Sequence, residues 1–106
     1  MVAAVAPGVG MEDDVTPARF CRGFRVHREQ LVASGRVMPS DPARWARQQM
    51  LLEWFASQEA MTDERFEDIL ANRSVHADQE EVRTICTVLL EEWRNAPMRR
   101  FWAEQS

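Results

Sequence analysis

Residues 50–56 read Met50-Leu51-Leu52-Glu53-Trp54-Phe55-Ala56, and this stretch decides the predicted fold. Its composition is that of a helix, but its apolar residues point in nearly every direction around the axis. At about 100° per residue, Leu52 and Phe55 share one face with Trp45, whereas Met50 and Trp54 fall on the opposite face. A helix that is apolar all round is either central in a bundle or docked on a partner through its second face. The stretch therefore predicts a small helical protein that acts by contact.

Capping residues and helix breakers divide the rest of the chain into helices. Thr16-Pro17 and Asp41-Pro42 each place a capping residue before a proline, which is tolerated at the first helical position. Ser34-Gly35 is typical of the end of the first helix, and Thr62 caps the third. No strand pattern is present in the sequence. We therefore predict an all-α fold, a small four-helix bundle with a short C-terminal helical or tail segment.

The last third of the chain contains the fourth helix and the short hydrophobic segment. Asp78 with Glu81 has the spacing of a capping box. An amphipathic stripe follows, made of Val82, Ile85, Cys86, Leu89, Leu90 and Trp93. Pro97 stops or kinks this helix, and the aromatic and basic residues 98–102 come after it. That segment either folds back over the bundle, anchors a partner or touches a membrane surface.

The length of 106 residues allows one domain. Residues 1–15 are mostly small, include two glycines and end near the acidic run Glu12-Asp13-Asp14. Such a segment cannot bury an apolar face, so we expect residues 1–15 to be a disordered tail. Residues 16–106 are then the single helical domain.

Four apolar side chains are the predicted partner-binding residues: Met50 and Trp54 on the second face of the central helix, and Phe101 and Trp102 in the last segment. Tryptophan and methionine are enriched in the cores of protein interfaces. We therefore expect a non-enzymatic protein-binding module, such as an adaptor, an inhibitor or an assembly factor. Its partner would be another protein or a second copy in a homodimer. A structural subunit of an oligomer is a further alternative.

Arginine is concentrated in the first half of the chain. Residues 17–48 carry seven arginines against two acids, a net charge of +5, whereas residues 49–106 have a net charge of −6. Arg19, Arg22, Arg25 and Arg28 recur every third residue and are predicted to steer a partner electrostatically. They meet either the protein's own acidic half, an acidic partner or nucleic acid. A nucleic-acid-associated regulator is therefore the alternative function, although the total charge of −4 and a turn too long for a helix-turn-helix disfavour it.

The remaining reactive side chains do not form a recognisable site. Zinc needs three or four convergent ligands, but Cys21 and His27 point about 240° apart on one helix, and His76 lies in a predicted loop. Cys86 lies on the core stripe and is expected to be inert, whereas Cys21 beside Arg22 is expected to be the more reactive thiol. We therefore expect no enzymatic activity, no cofactor and no metal.

Composition also indicates origin and compartment. All thirteen basic residues are arginine, as is typical of a GC-rich genome, so we expect a bacterial or phage protein. The chain has two cysteines, and Met1 to Gly10 lacks the basic start and apolar length of a signal peptide. No run approaches the roughly 20 apolar residues that cross a bilayer. We expect a cytoplasmic protein with no membrane partner.

Overall fold

The computed structural model describes residues 15–105, which form a bundle of five α-helices with no strand among them. The helices are α1 (Pro17–Ala33), α2 (Pro42–Ala56), α3 (Asp63–His76), α4 (Glu80–Arg94) and α5 (Ala96–Ala103). The predicted all-α bundle is confirmed, and the short C-terminal segment is its fifth helix. The predicted tail lies outside the described residues except for Val15. That residue is buried in the core, so the folded part begins at least one residue earlier than predicted.

The helix starts follow from side chains that accept hydrogen bonds from the first turn. Thr16, Asp41 and Thr62 each accept one from the backbone N–H three residues ahead, at 3.1–3.2 Å, and Asn95 does the same for α5. These bonds satisfy amide groups that have no partner inside the helix. Gly35 ends α1 with a φ of 78°, a conformation that glycine adopts without steric cost.

The start of α4 differs from the predicted capping box. The N-cap residue is Gln79, and no side chain makes a capping hydrogen bond there. Glu81 is buried, and its carboxylate pairs with Arg44 and Arg47 of α2 instead of forming the predicted capping box with Asp78. A buried carboxylate is stabilised more by a guanidinium than by one backbone amide, so the contact between helices prevails over the local one.

Aromatic side chains dominate the core. Phe20, Phe55, Phe66 and Trp93 are fully buried, and their rings meet edge to face at centroid distances of 5.0–6.1 Å. The indole Nε1 of Trp93 donates to a carboxylate oxygen of Glu67 at 3.2 Å, so this buried polar group is satisfied. Burying each side chain of this size contributes roughly 1.5–3 kcal/mol, so this cluster is a substantial source of stability.

The helices pair in an order that leaves one face of α2 in solvent. α1 packs on α2, α3 packs on α4, and α2 also packs on α4. α5 turns back at Pro97 and lies against both α1 and α4. Gly23 permits this approach, because a Cβ at that position would lie 1.7 Å from the carbonyl oxygen of Trp102. The alternative in which the C-terminal segment folds back over the bundle is therefore the one observed.

Candidate interaction surface

Met50 and Trp54 lie on the face of α2 opposite Leu52 and Phe55, as the helix pattern predicts, and this face is in solvent. Met50 is 66% exposed and Trp54 is 42% exposed, whereas Leu52 and Phe55 on the other face are fully buried. The helix is thus apolar on both sides, with one side in the core and the other in water. A tryptophan and a methionine one helical turn apart on the surface form an apolar pair that nothing within residues 15–105 covers.

Trp54 is held in a defined position although it is exposed. Its ring packs edge to face on Phe55 with centroids 5.1 Å apart, and the guanidinium of Arg73 from α3 lies 5.7 Å from the ring centroid. A cation at that distance interacts favourably with the electron-rich face of an indole. The side chain is therefore supported from two helices while part of its ring remains accessible.

Phe101 and Trp102 form a second aromatic pair, and they differ in their surroundings. Trp102 packs on Phe24 and His27 with centroid distances of 4.5 and 5.0 Å, and its Nε1 donates to Glu92 at 2.7 Å. Trp102 therefore holds α5 against α1 and α4. Phe101 is 41% exposed, and the centroid of its ring lies 6.4 Å from that of the His27 ring.

The two predicted pairs do not form one surface. No ring contact, hydrogen bond or ion pair within residues 15–105 links Met50 or Trp54 to Phe101 or Trp102. α5 lies on α1 and α4, whereas the exposed side of α2 faces away from its packing partners. The larger continuous apolar exposure is the pair on α2.

The arginines of α1 are mostly occupied by their own chain. Arg22 pairs with Glu59 at 2.7 Å, and Arg25 pairs with Glu29 at 2.7 Å. Arg28 stacks 3.7 Å from the centroid of the Trp45 ring and donates to two glutamines of α2, Gln48 and Gln49, at 2.7 and 2.6 Å. Burial lowers the pKa of Arg28 to about 10, which leaves it charged at neutral pH.

Arg19 is the exception in this series. It is exposed, and its side chain makes no ion pair within residues 15–105. Of the four predicted steering residues, Arg19 is thus the exposed one without an ion pair to residues 15–105, while Arg22, Arg25 and Arg28 also organise the fold. Basic residues of the first half of the chain also form ion pairs with acidic residues of the second half. Arg44 and Arg47 of α2 pair in this way with Glu80 and Glu81 of α4.

The sequence pattern predicts a capping role for Glu81, but the structure places it in an ion pair between α4 and α2. Its side chain is 7% exposed and pairs with Arg47 and, at 3.4 Å, with Arg44. The hydrogen bond from Arg47 lowers the pKa of Glu81 below its ordinary value. A spacing of 34 residues between Arg47 and Glu81 carries no local signal, so the pairing emerges only when α2 and α4 pack together.

A shallow groove of about 270 Å³ lies beside this ion pair. Its walls include Pro39, Asp41, Arg44, Trp45 and Glu81. The buried carboxylate of Glu81 in this groove is paired with the guanidinium groups of Arg44 and Arg47. The groove is a consequence of how the α1–α2 turn meets α4.

Both cysteines are free and fully buried. Burial raises the pKa of Cys21 well above its ordinary value, and it raises the pKa of Cys86 to about 11. The expectation that Cys21 is the more reactive of the two thiols is therefore wrong. Arg22 is its neighbour in sequence, but about 100° of rotation per residue turns Cys21 into the core and leaves Arg22 at the edge.

Within residues 15–105, no group of three or more His, Cys, Asp or Glu side chains is arranged to hold a metal ion. No helix in the same range has the length and apolar character to cross a bilayer.

Comparisons of the chain with protein-family models, with curated proteins and with solved structures each found no match.

Proposed function

We propose that this chain is a non-enzymatic protein-binding module that contacts its partner through the solvent face of α2, with Met50 and Trp54 as anchors. The observation that carries the proposal is the exposure of these two side chains, 66% and 42%, on a helix whose other face carries the fully buried Leu52 and Phe55. Large apolar side chains next to each other in water favour an association that covers them.

The surroundings of the pair suit binding. Trp54 is already supported by Phe55 and Arg73, so little conformational freedom is lost when a partner covers it. Met50 is flexible and polarisable and adapts to the shape of an opposing surface. A rigid aromatic anchor beside an adaptable neighbour resembles the centre of a protein interface.

Nucleic-acid binding is less well supported. Phosphate recognition draws on several free cations, but Arg22, Arg25 and Arg28 each have a partner within the chain. Arg19 and the partly exposed Arg22 would steer an acidic protein partner towards the bundle. The proposed roles are an adaptor, an inhibitor or an assembly factor of bacterial or phage origin, acting in the cytoplasm.

The proposal is tested by affinity capture with tagged wild type, Met50→Glu and Val75→Glu as baits. The extract comes from the source organism and is treated with nuclease. Val75 on α3 is the matched control, because it is 66% exposed, the same fraction as Met50. We expect a stoichiometric protein, an untagged copy of this chain included, with wild type and Val75→Glu but not with Met50→Glu. Capture that Met50→Glu leaves unchanged, or that nuclease abolishes, would contradict the proposal.

A further inference from the structure

The junction between α4 and α5 is one residue long and lies in solvent. α4 ends at Arg94 and α5 begins at Ala96, and Asn95 between them is extended, with φ −95° and ψ 102°. Residues 94–97 are all exposed. Because this bend is not buried between other elements, the local chemistry of the junction decides whether the chain turns back or continues as one helix.

Pro97 removes the hydrogen bond that would carry α4 into α5. In an uninterrupted helix, the N–H of residue 97 donates to the carbonyl oxygen of residue 93. Proline has no N–H, and its ring collides with that carbonyl group. Strong helix formers flank Pro97 on both sides: Glu91, Glu92, Arg94, Ala96, Met98, Arg99 and Arg100. Pro97 is therefore the main obstacle to a single helix from Glu80 to Ala103.

The carbonyl group that Pro97 leaves without a backbone donor is satisfied from the other side of the bend. The Nε of Arg99 donates to the carbonyl oxygen of Trp93 at 2.7 Å, and the Arg99 guanidinium lies 4.0 Å from the centroid of the Trp93 ring. The side chain of Asn95 also accepts a hydrogen bond from the N–H of Met98 at 3.2 Å. Both contacts stabilise the bent form of the junction.

The bend places α5 on a surface that fits its sequence. This surface, called here the α5 seat, consists of Gly23, Phe24 and His27 of α1 and Glu92 of α4. Gly23 admits the backbone of α5, the two rings contact Trp102, and Glu92 accepts a hydrogen bond from the Trp102 indole at 2.7 Å. An α5 from a second copy of the chain would make the same contacts, which is the condition for exchange of an element between two copies.

We propose that Pro97 is a conformational device that keeps α5 on its own molecule and prevents the exchange of α5 between two copies. Without this proline, α4 and α5 form one straight helix, and its α5 part fills the α5 seat of a second copy. The Trp93 carbonyl then accepts from the N–H of residue 97, and the Arg99 contact is no longer needed. This inference goes beyond the proposed function and does not depend on the exposed face of α2.

The first test is the mass of Pro97→Ala in the full chain, measured by light scattering over a range of concentrations. Parent and variant both carry Met50→Glu, so association through α2 does not contribute. A proline inside a helix disfavours that helix by a factor of roughly 100, and the exchanged dimer contains two such helices, so the dimer Kd should fall about 10⁴-fold. The mass should approach twice the 12.3 kDa of the monomer at concentrations at which the parent is monomeric.

Pro42→Ala is the matched control for this measurement. Pro42 is also exposed in the first turn of a helix, but residues 34–41 separate α2 from α1, so its removal cannot join two helices. Pro42→Ala should stay monomeric. A Pro97→Ala variant with the mass of its parent at every concentration would overturn the inference. So would a monomeric variant in which Trp102 becomes open to fluorescence quenchers, since α5 would then have left its seat without entering another.

The second test shows whether the seat and the helix come from different copies. Two differently tagged chains both carry Pro97→Ala. One adds Gly23→Ala, which blocks its α5 seat, and the other adds Trp102→Ala, which removes the anchor of its α5. Only a mixed dimer combines an intact seat with an intact α5, so refolding the two chains together should give mixed dimers several-fold above random pairing. Random pairing would contradict exchange of α5.

Failure of this inference is distinguishable from failure of the proposed function. Met50 and Trp54 lie outside both the junction and the α5 seat, so a monomeric Pro97→Ala variant would leave the capture result for Met50→Glu unchanged. Conversely, capture that does not depend on Met50 would leave the role of Pro97 intact.

Discussion

Gly23 faces the backbone carbonyl of Trp102 so closely that a Cβ on Gly23 would lie 1.7 Å from the carbonyl oxygen. This close approach brings α5 onto α1 and places the Trp102 ring on Phe24. Because the opposing atom belongs to the backbone, it cannot move aside as a flexible side chain would. The packing of α5 on α1 therefore requires a residue without a side chain at position 23.

Gly23→Ala should displace α5 and destabilise the fold. Alanine favours a helix over glycine by about 1 kcal/mol, but overpacking against a backbone commonly costs 1–3 kcal/mol, so we expect a net loss on the order of 1–2 kcal/mol. Thermal unfolding should show a Tm lower by about 5–10 °C. Gly35→Ala is the control. It adds strain at a φ of 78° but has open space around it, so it should lower Tm without exposing Trp102 to fluorescence quenchers. An unchanged Tm in Gly23→Ala would show that α5 is not seated as described.

Leu52→Ala and Met50→Ala should separate the two faces of α2. Leu52 is fully buried, so its truncation should cost about 2–5 kcal/mol in the free energy of unfolding. Met50 is exposed, and its truncation should change that free energy by less than about 0.5 kcal/mol. Urea denaturation at low protein concentration measures both without a contribution from self-association. A large loss in Met50→Ala under those conditions would contradict the exposed position of this side chain.

Glu81→Gln should remove a pH dependence of stability. Arg47 lowers the pKa of Glu81 in the folded state, below the ordinary value of 4.5. The stabilisation from the charged carboxylate is therefore fully present above about pH 4.5, and it is lost as the pH falls through the lower folded-state value.

Urea denaturation at pH 7 and at pH 3 measures this dependence. Wild type should be more stable than Glu81→Gln at pH 7, and the difference should shrink at pH 3. Glu80→Gln is the matched control, since Glu80 is 69% exposed and its pairing with Arg44 is screened by water. A pH profile that Glu81→Gln leaves unaltered would argue against the buried ion pair.

The thiols should react only when the protein unfolds. Burial raises the pKa of both cysteines, so little thiolate is present at pH 8 and reagents cannot reach it. A colorimetric thiol reagent should detect almost no fast reaction in the native protein and two thiols in denaturant. Rapid labelling of Cys21 in the native state would restore the expectation drawn from its arginine neighbours.

The sequence by itself determined the features that depend on neighbouring residues. Thr16, Asp41 and Thr62 each cap a helix as predicted, because a cap needs only a side-chain oxygen and the amide groups of the next turn. Gly35 ends α1 for an equally local reason, its permitted positive φ. The opposite orientation of Met50 and Leu52 also follows from the helical repeat alone, whereas the packing of α2 decides that Leu52 is the buried one.

Only the tertiary structure decided which of several possible partners each polar or aromatic group meets. Glu81 pairs with Arg47, which lies 34 residues earlier in the chain, and does not form the predicted capping box. Trp102 holds α5 on the bundle because Gly23 leaves room for α5, and Cys21 is buried in the same core cluster as Cys86 of α4. In each case the surroundings of the side chain are set by residues that are distant in the sequence. Helical periodicity records which side of a helix is apolar, whereas the packing of helices decides what covers that side.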